Sequence, residues 1–269
     1  MANHYASRVK PGRNVRLKEF DPDDTGDFKN DQQARSLLEK DVERLYELQE
    51  KLYADNRYSL LVVLQGMDAS GKDGTIKHVM RGRNPQGVQV TSFKAPSHEE
   101  LDHDFLWRVH RALPRRGNIG IFNRSHYEDV LIARVEKLVT KEVWKKRYDE
   151  INRFEELLAD TGTIVVKFFL HIGKDEQKER FEARLRDPAK RWKFSIGDLA
   201  VRRKWNDYQE AYEDAVTRCS TAHAPWFIVP ANKKWFRNMA VARTLVETLE
   251  SLDLNYPKPE EGLENLVIE

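Results

Sequence analysis

A glycine-rich stretch has the residue types and spacing of a phosphate-binding loop. It reads Gly66-Met67-Asp68-Ala69-Ser70-Gly71-Lys72-Asp73-Gly74-Thr75, and two glycines separated by four residues and followed by lysine are the first seven positions of that motif. The glycines allow a tight turn in which successive backbone N–H groups point at an anion. Lys72 adds a mobile positive charge that can follow a phosphoryl group during its transfer. We therefore expect Lys72 to be catalytic. The loop residues expected to bind phosphate or a nucleotide are Gly66, Met67, Ala69, Ser70, Gly71, Asp73 and Gly74.

The residues around this loop give it the setting that the motif requires. Residues 60–64 are all leucine or valine, a run too short for a helix of its own and long enough for a buried strand. The residues after Lys72 are expected to begin a helix, whose N-terminal dipole also favours an anion. The loop departs from the motif at its eighth position, where Asp73 replaces the usual Ser or Thr that holds magnesium. Some other oxygen must then hold the metal, and Asp68, inside the loop, is the obvious candidate.

A second group of polar residues follows the strand predicted at residues 118–123. A magnesium-directing acid often stands at such a strand end, but the first polar residue here is the neutral Asn123, which we expect to contact phosphate or nucleotide. The acids come later, at Glu128 and Asp129, and either direct a metal or are helix N-terminal acids favoured by the dipole. Arg124 is expected to be catalytic, because a guanidinium beside the strand end could clamp phosphate oxygens through two hydrogen bonds.

Two further basic residues follow the loop, on the helix predicted for residues 72–81. Lys77 and Arg81 are four residues apart, which places both on one helical face beside the loop. They are either a solvated basic face or a continuation of the anion track beyond Lys72.

A long basic segment lies between the last two predicted strands. Residues 174–204 contain eleven Lys or Arg and six Asp or Glu, a difference of +5 in a chain whose formal net charge is only +2. Asp187-Pro188 interrupts the helical pattern and predicts a helical hairpin with arms at residues 176–185 and 196–216. The segment is either a salt-bridged, solvated helix pair or a lid that closes over a polyanion at the loop. Taken with the basic residues of the loop helix, the candidate polyanion-binding residues are Lys77, Arg81, Arg186, Lys190, Arg191 and Lys193.

Apolar periodicity predicts the elements that must position these residues. Strand patterns cover residues 60–64, 88–93, 118–123, 163–172 and 226–229, and helical spacing covers residues 31–54, 72–81, 99–112 and 141–160. Strands that alternate with helices imply parallel crossovers and a three-layer α/β sandwich. The helix over residues 99–112 is expected to bury Leu101, Phe105, Leu106 and Val109. Residues 1–30 are polar and contain turn signals, so they are expected to wrap the surface.

The composition limits the class of protein. Hydrophobic residues make up 40% of the 269 residues, enough for the core of one large domain over residues 1–269, with a lid insert at about residues 174–220 and polar terminal extensions. Charged residues reach 33% but nearly cancel, which argues against a general nucleic-acid binder. The single cysteine, Cys219, suits a reducing compartment, and no apolar run has the length of a membrane span. We expect a cytoplasmic protein that does not associate with membranes.

Three of these segments together resemble the second family of polyphosphate kinases, the polyphosphate kinase 2 family. They are the loop at residues 66–74, the strand end at residues 123–128 and the insert motif Lys190-Arg191-Trp192-Lys193-Phe194. The resemblance extends over residues 17–231. It implies a P-loop kinase fold similar to thymidylate kinase, with a helical lid and a parallel sheet, here of five strands. It also implies a homo-oligomer, which we expect to be a dimer or a tetramer.

The resemblance implies a role for individual residues. Asp68 and Lys72 would act in the loop, Arg124 at the strand end, and the lid cations on polyphosphate. The chain departs from many members of the family at Asn123, where they carry Asp, and it looks like the subgroup that phosphorylates AMP as well as ADP. Glu128 would replace the missing charge, so Asp68 and Glu128 are the expected catalytic acids and Mg²⁺ ligands.

The function expected from the sequence is therefore phosphoryl transfer from inorganic polyphosphate to AMP and ADP, which makes ADP and ATP with Mg²⁺ as cofactor. Two alternatives remain open. An ATP-dependent nucleotide or nucleoside kinase is disfavoured by the strongly basic insert, since one triphosphate needs fewer cations than a long chain. A non-catalytic polyphosphate- or nucleotide-binding protein is disfavoured by Asp68, because a simple binder gains little from an acid inside an anion loop.

Overall fold

The apolar segments of the sequence assemble into one central β-sheet. The computed structural model of the protein describes residues 5–263 and 268. The strands are β1 (Ser7–Arg8), β2 (Ser59–Gln65), β3 (Val88–Ser92), β4 (Ile119–Asn123), β5 (Thr163–His171) and β6 (Trp226–Pro230). Their order across the sheet is β1-β6-β5-β2-β4-β3. Strands β2 to β6 run parallel, and β1 pairs antiparallel with β6. The predicted five-stranded parallel sheet is confirmed, and β1 is an additional edge strand.

The helices cover the sheet on both faces. They are α1 (Asp31–Asp55), α2 (Lys72–Val79), α3 (His98–Leu101), α4 (Trp107–Arg111), α5 (Ile132–Val135), α6 (Lys141–Asp160), α7 (Lys174–Arg186), α8 (Ile196–Arg203), α9 (Trp205–Cys219) and α10 (Lys234–Glu250). Successive side chains of a strand point to opposite faces. In β2, Leu61 and Val63 join a core with α6 and α9, whereas Leu60 and Val62 join a second core with α1 and α10. The predicted three-layer sandwich is confirmed.

The N-terminal segment is more than the surface wrap that its polarity predicts. Residues 7 and 8 pair with β6 through their backbone, while Ala6, Val9, Val15 and Leu17 are buried in the two cores. The expectation of a surface segment is wrong for these residues, because a few apolar side chains spaced through a polar stretch are enough to anchor it.

Two predicted helices differ from the observed ones: one is interrupted and the other is shorter. The helix predicted over residues 99–112 is instead α3 and α4, and Leu101 is 64% exposed rather than inside. Asp104 explains the break, since its side chain accepts a hydrogen bond from the backbone N–H of Leu106 at 2.9 Å, a local bond that competes with helix formation. Likewise α2 stops at Val79, so Arg81 lies beyond its end and not on the same helical face as Lys77.

The basic insert contains a helical hairpin with a broken second arm. Helix α7 ends at Arg186, as Asp187-Pro188 predicts. The second arm is two helices, because the chain leaves helical geometry at Lys204. One face of α9 is buried in the core, so that part of the predicted insert belongs to the body of the fold, and residues 187–204 remain the exposed part. None of the described helices is long and apolar enough to cross a membrane.

Candidate active site

The loop between β2 and α2 can hold its shape only with glycine at two positions. Gly66 and Gly71 have φ angles of +150° and +105°, a region that side chains other than glycine rarely enter. Space is also lacking: a Cβ on Gly66 would lie 2.7 Å from the carbonyl oxygen of Leu170, and one on Gly71 would lie 1.8 Å from Nη1 of Arg237. The loop is thus packed directly against β5 and α10.

Lys72 begins α2 and folds back over the loop. Its Nζ donates hydrogen bonds to the carbonyl oxygens of Gly66 at 2.7 Å and Met67 at 3.3 Å. Burial, reinforced by the nearby Arg124 guanidinium, lowers the pKa of Lys72 to about 8, even though Asp68 and Glu128 oppose the shift. A cation that is bonded only to carbonyl oxygens is available for a phosphate group, because a phosphate oxygen offers it a full negative charge.

Arg124 stands directly after β4 and joins the two predicted catalytic acids. Its φ of +63° places it in the left-handed region, which is uncommon for arginine. From there Nη2 donates to Asp68 Oδ1 at 2.6 Å, and Nη1 lies 3.6 Å from Glu128 Oε2. Burial disfavours the guanidinium charge, but Glu128 and Asp68 outweigh it and raise the pKa of Arg124. The structure therefore brings Asp68, Arg124 and Glu128 together.

Asp73 departs from the phosphate-loop motif and Asn123 from the usual acid at the strand end, and these two residues form a hydrogen bond with each other. Asn123 Nδ2 donates to Asp73 Oδ1 at 2.6 Å, which links the end of β4 to the start of α2. The neighbouring acids Glu128 and Asp129 have different partners. Glu128 lies beside Arg124, whereas Asp129 Oδ1 accepts a hydrogen bond from Arg147 at 3.1 Å. Of these two acids, only Glu128 contacts the residues around the loop.

A cavity of about 560 Å³ opens above the loop. The predicted site residues that line it are Asp68, Ala69, Gly71, Lys72, Asp73, Gly74, Asn123, Arg124, Lys190 and Lys193. Four other predicted residues are not part of its lining, namely Gly66, Met67, Ser70 and Glu128. The cavity has the size of an ordinary ligand site and connects the loop, the end of β4 and the basic insert.

Four of the predicted polyanion-binding residues do not line this cavity. Lys77 is exposed on α2, and Arg81 Nη2 lies 3.9 Å from Glu39 Oε1 of α1. Arg186 Nη1 lies 3.9 Å from Glu182 Oε2, also on α7, and Arg191 Nε donates to the carbonyl oxygen of Leu185 at 2.8 Å. The structure thus divides the six candidates, of which Lys190 and Lys193 line the cavity.

Several lining residues were not singled out as site residues from the sequence. They are Ser92, Phe93, Lys94, Arg180, Ala183, Arg184, Trp192, Asp198, Lys234 and Arg237. A signal existed for Lys234 and Arg237, because they follow the last parallel strand and ligands bind at the carboxyl ends of such strands. Asp198 had no signal, since its place beside the loop depends on how the insert folds back.

Two arginines that line the cavity also hold the loop through its carbonyl groups. Arg180 Nη1 donates to the carbonyl oxygens of Ala69 at 2.8 Å and Ser70 at 3.1 Å, and its Nε donates to Glu176 at 2.7 Å. Arg237 Nη1 donates to the same Ser70 oxygen at 3.0 Å. These contacts give the Ala69 and Ser70 carbonyl groups hydrogen-bond partners and tie the loop to α7 and α10.

A buried network fixes the turn that separates Arg124 from Glu128. Glu155 accepts hydrogen bonds from His126 Nε2 at 3.1 Å and from the Tyr127 hydroxyl at 3.0 Å. Its other oxygen forms a buried ion pair with Lys167. Burial raises the pKa of a carboxyl group, but here Lys167 and His126 outweigh it and lower the pKa of Glu155. The turn that carries the site residues is thus anchored to α6 and β5.

The charge of the cavity wall indicates its ligand. Nine lysines and arginines and three aspartates line it, although the whole chain has a net charge of only +2. Such an excess of cations around a phosphate-binding loop favours a ligand with many negative charges. The aspartates give the same cavity oxygen atoms that a divalent cation could use.

Comparison with known proteins agrees with this geometry. The model of the family polyphosphate kinase 2 matches residues 28–257. The chain is 56% identical over 263 residues to the AMP/ADP-polyphosphate phosphotransferase of Meiothermus ruber, covering 97% of this chain and 98% of that protein. It is 46% identical to the ADP-polyphosphate phosphotransferase of Rhodopseudomonas palustris, covering 93% and 91%. The crystal structure of polyphosphate kinase 2 from Arthrobacter aurescens superposes with a TM-score of 0.92 at 46% identity, covering 96% and 92% of the two chains.

Proposed function

Since the chain belongs to the polyphosphate kinase 2 family, we propose that it transfers phosphoryl groups from inorganic polyphosphate to AMP and to ADP, making ADP and ATP. The observation that carries this proposal is the cavity above the loop, lined by nine cations and three aspartates. A polyphosphate chain bears a negative charge on every phosphate, so a wall with this charge excess fits it better than a single triphosphate. The acceptor nucleotide would occupy the same cavity.

We assign the loop and the strand end to the transferring phosphoryl group. In such reactions negative charge spreads over the equatorial oxygens, and the protein supplies cations and alignment rather than covalent chemistry. Lys72 and Arg124 flank the loop from two elements and would hold those oxygens. The loop N–H groups would bind the adjacent phosphate, while Arg180 and Arg237 hold the loop through its carbonyl groups.

A dedicated general base is not needed for this reaction. The attacking group is a phosphate oxygen of AMP or ADP, and the second pKa of a phosphate monoester is about 6, so it is mostly ionised at neutral pH. That agrees with a cavity whose lining carries cations, aspartates and amides but no histidine.

The acids of the site fit Mg²⁺ held jointly with substrate. Among the described residues no group of three His, Cys, Asp or Glu side chains could hold a metal ion by itself, and Mg²⁺ is often bound by one or two carboxylates and the substrate phosphates. Asp68 and Glu128 would supply those carboxylates, since both lie beside Arg124 at the loop. When bound, Mg²⁺ would neutralise charge on the phosphate oxygens.

We further propose that residues 187–204, the exposed part of the insert, form a lid over the cavity. Lys190 and Lys193 line the cavity from this segment, so they would hold the polyphosphate chain. The remaining expectations are a single domain and a homo-oligomer, either a dimer or a tetramer, which light scattering of the full chain would measure.

A donor assay tests the proposed function. The protein is incubated with AMP, polyphosphate and Mg²⁺ without ATP, and the nucleotides are separated with time. ADP should form first and ATP second, with Lys72→Ala as the inactive control. Product formation only when ATP replaces polyphosphate as donor would instead assign an ATP-dependent nucleotide kinase.

A further inference from the structure

We propose that Arg237 is a cation of the phosphate site whose counter-charge is the bound polyphosphate, so that the same side chain weakens the empty fold and strengthens ligand binding. This inference rests on the proposed function and adds a residue, and a link between binding and stability, to it. The residue lies on α10, 167 positions after the loop residue that it contacts.

The position of Arg237 places its charge against the loop itself. Its guanidinium is so close that a Cβ on Gly71 would meet Nη1 at 1.8 Å, and one on Gly74 would meet Nη2 at 3.2 Å. The residue is 2% exposed and still contributes to the cavity wall. Gly71 and Gly74 flank Lys72 at the start of α2, where the motif places an anion.

Each guanidinium nitrogen of Arg237 donates a hydrogen bond, but its charge has no carboxylate partner among the described residues. Nε and Nη2 donate to Asn238 Oδ1 at 3.2 and 2.8 Å, and Nη1 donates to the Ser70 carbonyl oxygen. No carboxylate among residues 5–263 pairs with it. Burial, with the neighbouring Arg180 guanidinium, lowers the pKa of Arg237 to about 9. By contrast, Arg180 has a carboxylate partner in Glu176.

A buried charge without a partner is costly to the fold. Lys72, the residue after Gly71, is in a similar condition, since it too donates hydrogen bonds only to carbonyl oxygens. Two such cations around one loop are a burden in the empty protein, and an anion in the loop would relieve both. The charge is therefore explained by binding rather than by folding.

This explanation links ligand binding to stability. A ligand that binds only the folded protein stabilises it, and the gain depends on affinity. Replacing the Arg237 charge by a neutral polar group should lower polyphosphate affinity and should leave the empty protein no less stable. A residue that serves only to tie Ser70 to α10 would show the opposite pattern.

The test uses Arg237→Gln, Arg237→Lys and the full chain, with sodium tripolyphosphate and Mg²⁺ as the probe and no nucleotide. Melting temperature is measured with Mg²⁺ alone and with the probe, and Kd by calorimetry. We expect Arg237→Gln to melt at or above the wild-type temperature when empty and to bind tripolyphosphate about 10- to 100-fold more weakly, as for loss of a charged hydrogen-bonding partner. Arg237→Lys, which keeps the charge, should retain affinity within a few fold.

Arg83→Gln is the matched control. Arg83 is also a buried arginine. It donates to the carbonyl oxygen of Val42 and is not part of the cavity lining, and burial lowers its pKa to about 10. Its replacement should leave tripolyphosphate affinity unchanged.

The outcomes separate the possible failures. The inference is overturned if Arg237→Gln fails to fold or melts earlier than wild type when empty, if it binds tripolyphosphate as wild type does, or if Arg237→Lys binds as weakly as Arg237→Gln. Those results would leave the proposed function intact. A wild-type protein that tripolyphosphate neither stabilises nor binds would instead contradict the proposed function, and this inference with it.

Discussion

At the scale of single residues, the site contains two cations in different settings. Lys72 bonds only to carbonyl oxygens of its own loop, whereas Arg124 is shared between Asp68 and Glu128. Within the described part of the chain, the hydrogen bonds of Lys72 go to no carboxylate, so its charge is available to a ligand. Substitutions here should therefore change catalysis far more than folding.

Replacing Lys72 tests this most simply. Lys72→Ala should lower kcat by at least about 100-fold, the usual loss when a charge-stabilising group is removed, with a melting temperature close to wild type. Steady-state kinetics and thermal melting of the same preparation measure both. A folded Lys72→Ala variant with near-normal turnover would contradict the proposal that the loop acts on the transferring phosphoryl group.

The pKa of Lys72 also predicts a pH dependence. Burial lowers it to about 8, so the free enzyme loses this charge as pH rises through 8, and kcat/KM for polyphosphate should fall there because it reports the free enzyme. Unfolding does not explain the fall: the pKa is lower in the folded state, so this group makes folding more favourable as pH rises from about 8 toward 10.5. Bound phosphate favours the charged form, so kcat should fall at a higher pH. Coincident profiles of kcat and kcat/KM would contradict this account.

Glu128 tests the metal assignment. Glu128→Gln should raise the Mg²⁺ concentration that gives half-maximal rate, because an amide is a weaker ligand than a carboxylate. Asp129→Asn is the neighbouring control, since Asp129 bonds to Arg147 instead. If only the Asp129 variant needs more Mg²⁺, the ligand is misassigned.

At the scale of elements, the fold of the basic insert places its predicted polyanion-binding residues differently, although the sequence predicts the same role for all of them. Lys193 lines the cavity, whereas Arg186 lies beside Glu182 on α7 with its side chain 73% exposed. Lys190, Lys193 and Arg186 are all exposed, and exposed charges are screened over about 8 Å at physiological ionic strength, so their position relative to the cavity decides which of them act on a bound polyphosphate. The lid should therefore act on polyphosphate through Lys190 and Lys193 and only weakly through Arg186.

Michaelis constants test the lid. Lys193→Ala should raise KM for polyphosphate several-fold and leave KM for AMP nearly unchanged, because a long polyanion contacts several cations and AMP carries one phosphate. Wild-type KM for polyphosphate should also rise with salt more steeply than KM for AMP, and Lys193→Ala should reduce that difference. Arg186→Ala is the matched control. A Lys193→Ala defect confined to AMP would assign the lid to the nucleotide.

The network behind the β4 turn predicts a stability effect. Lys167→Met should lower the free energy of unfolding by about 3–5 kcal/mol, because it leaves the Glu155 carboxylate buried and unpaired. Urea unfolding measures this. Adding Glu155→Gln to Lys167→Met should recover part of the loss, since the buried charge is removed with its partner. A double variant less stable than Lys167→Met would contradict the assignment of the cost to the unpaired charge.

The strands and the loop could be predicted from sequence because their signals are local. Five apolar runs and one glycine pattern are each contained within about ten residues, and the residue types decide the backbone. The predictions failed where packing decides. Asp104 breaks a helix through one side-chain bond, α9 is drawn into the core, and Arg237 reaches the loop only because α10 packs against α2.

At the scale of the whole molecule, the fold concentrates positive charge that the composition conceals. Strands β2 to β6 are parallel, so their carboxyl ends meet at one edge of the sheet, where the loop, Arg124 and the start of α10 converge. The chain is nearly neutral, yet its cavity has an excess of cations. Such a field draws a polyanion to the loop and is weakened by salt.

In the proposed reaction, the phosphate added to the nucleotide comes from polyphosphate. The most direct measurement uses ³²P-labelled polyphosphate with unlabelled AMP and Mg²⁺ and no ATP, and determines where the label is found. We expect label in the β-phosphate of ADP and then in the β- and γ-phosphates of ATP, in amounts equal to the phosphate lost from polyphosphate. Label released only as inorganic phosphate, or nucleotide labelled only after ATP is added, would contradict the proposed reaction.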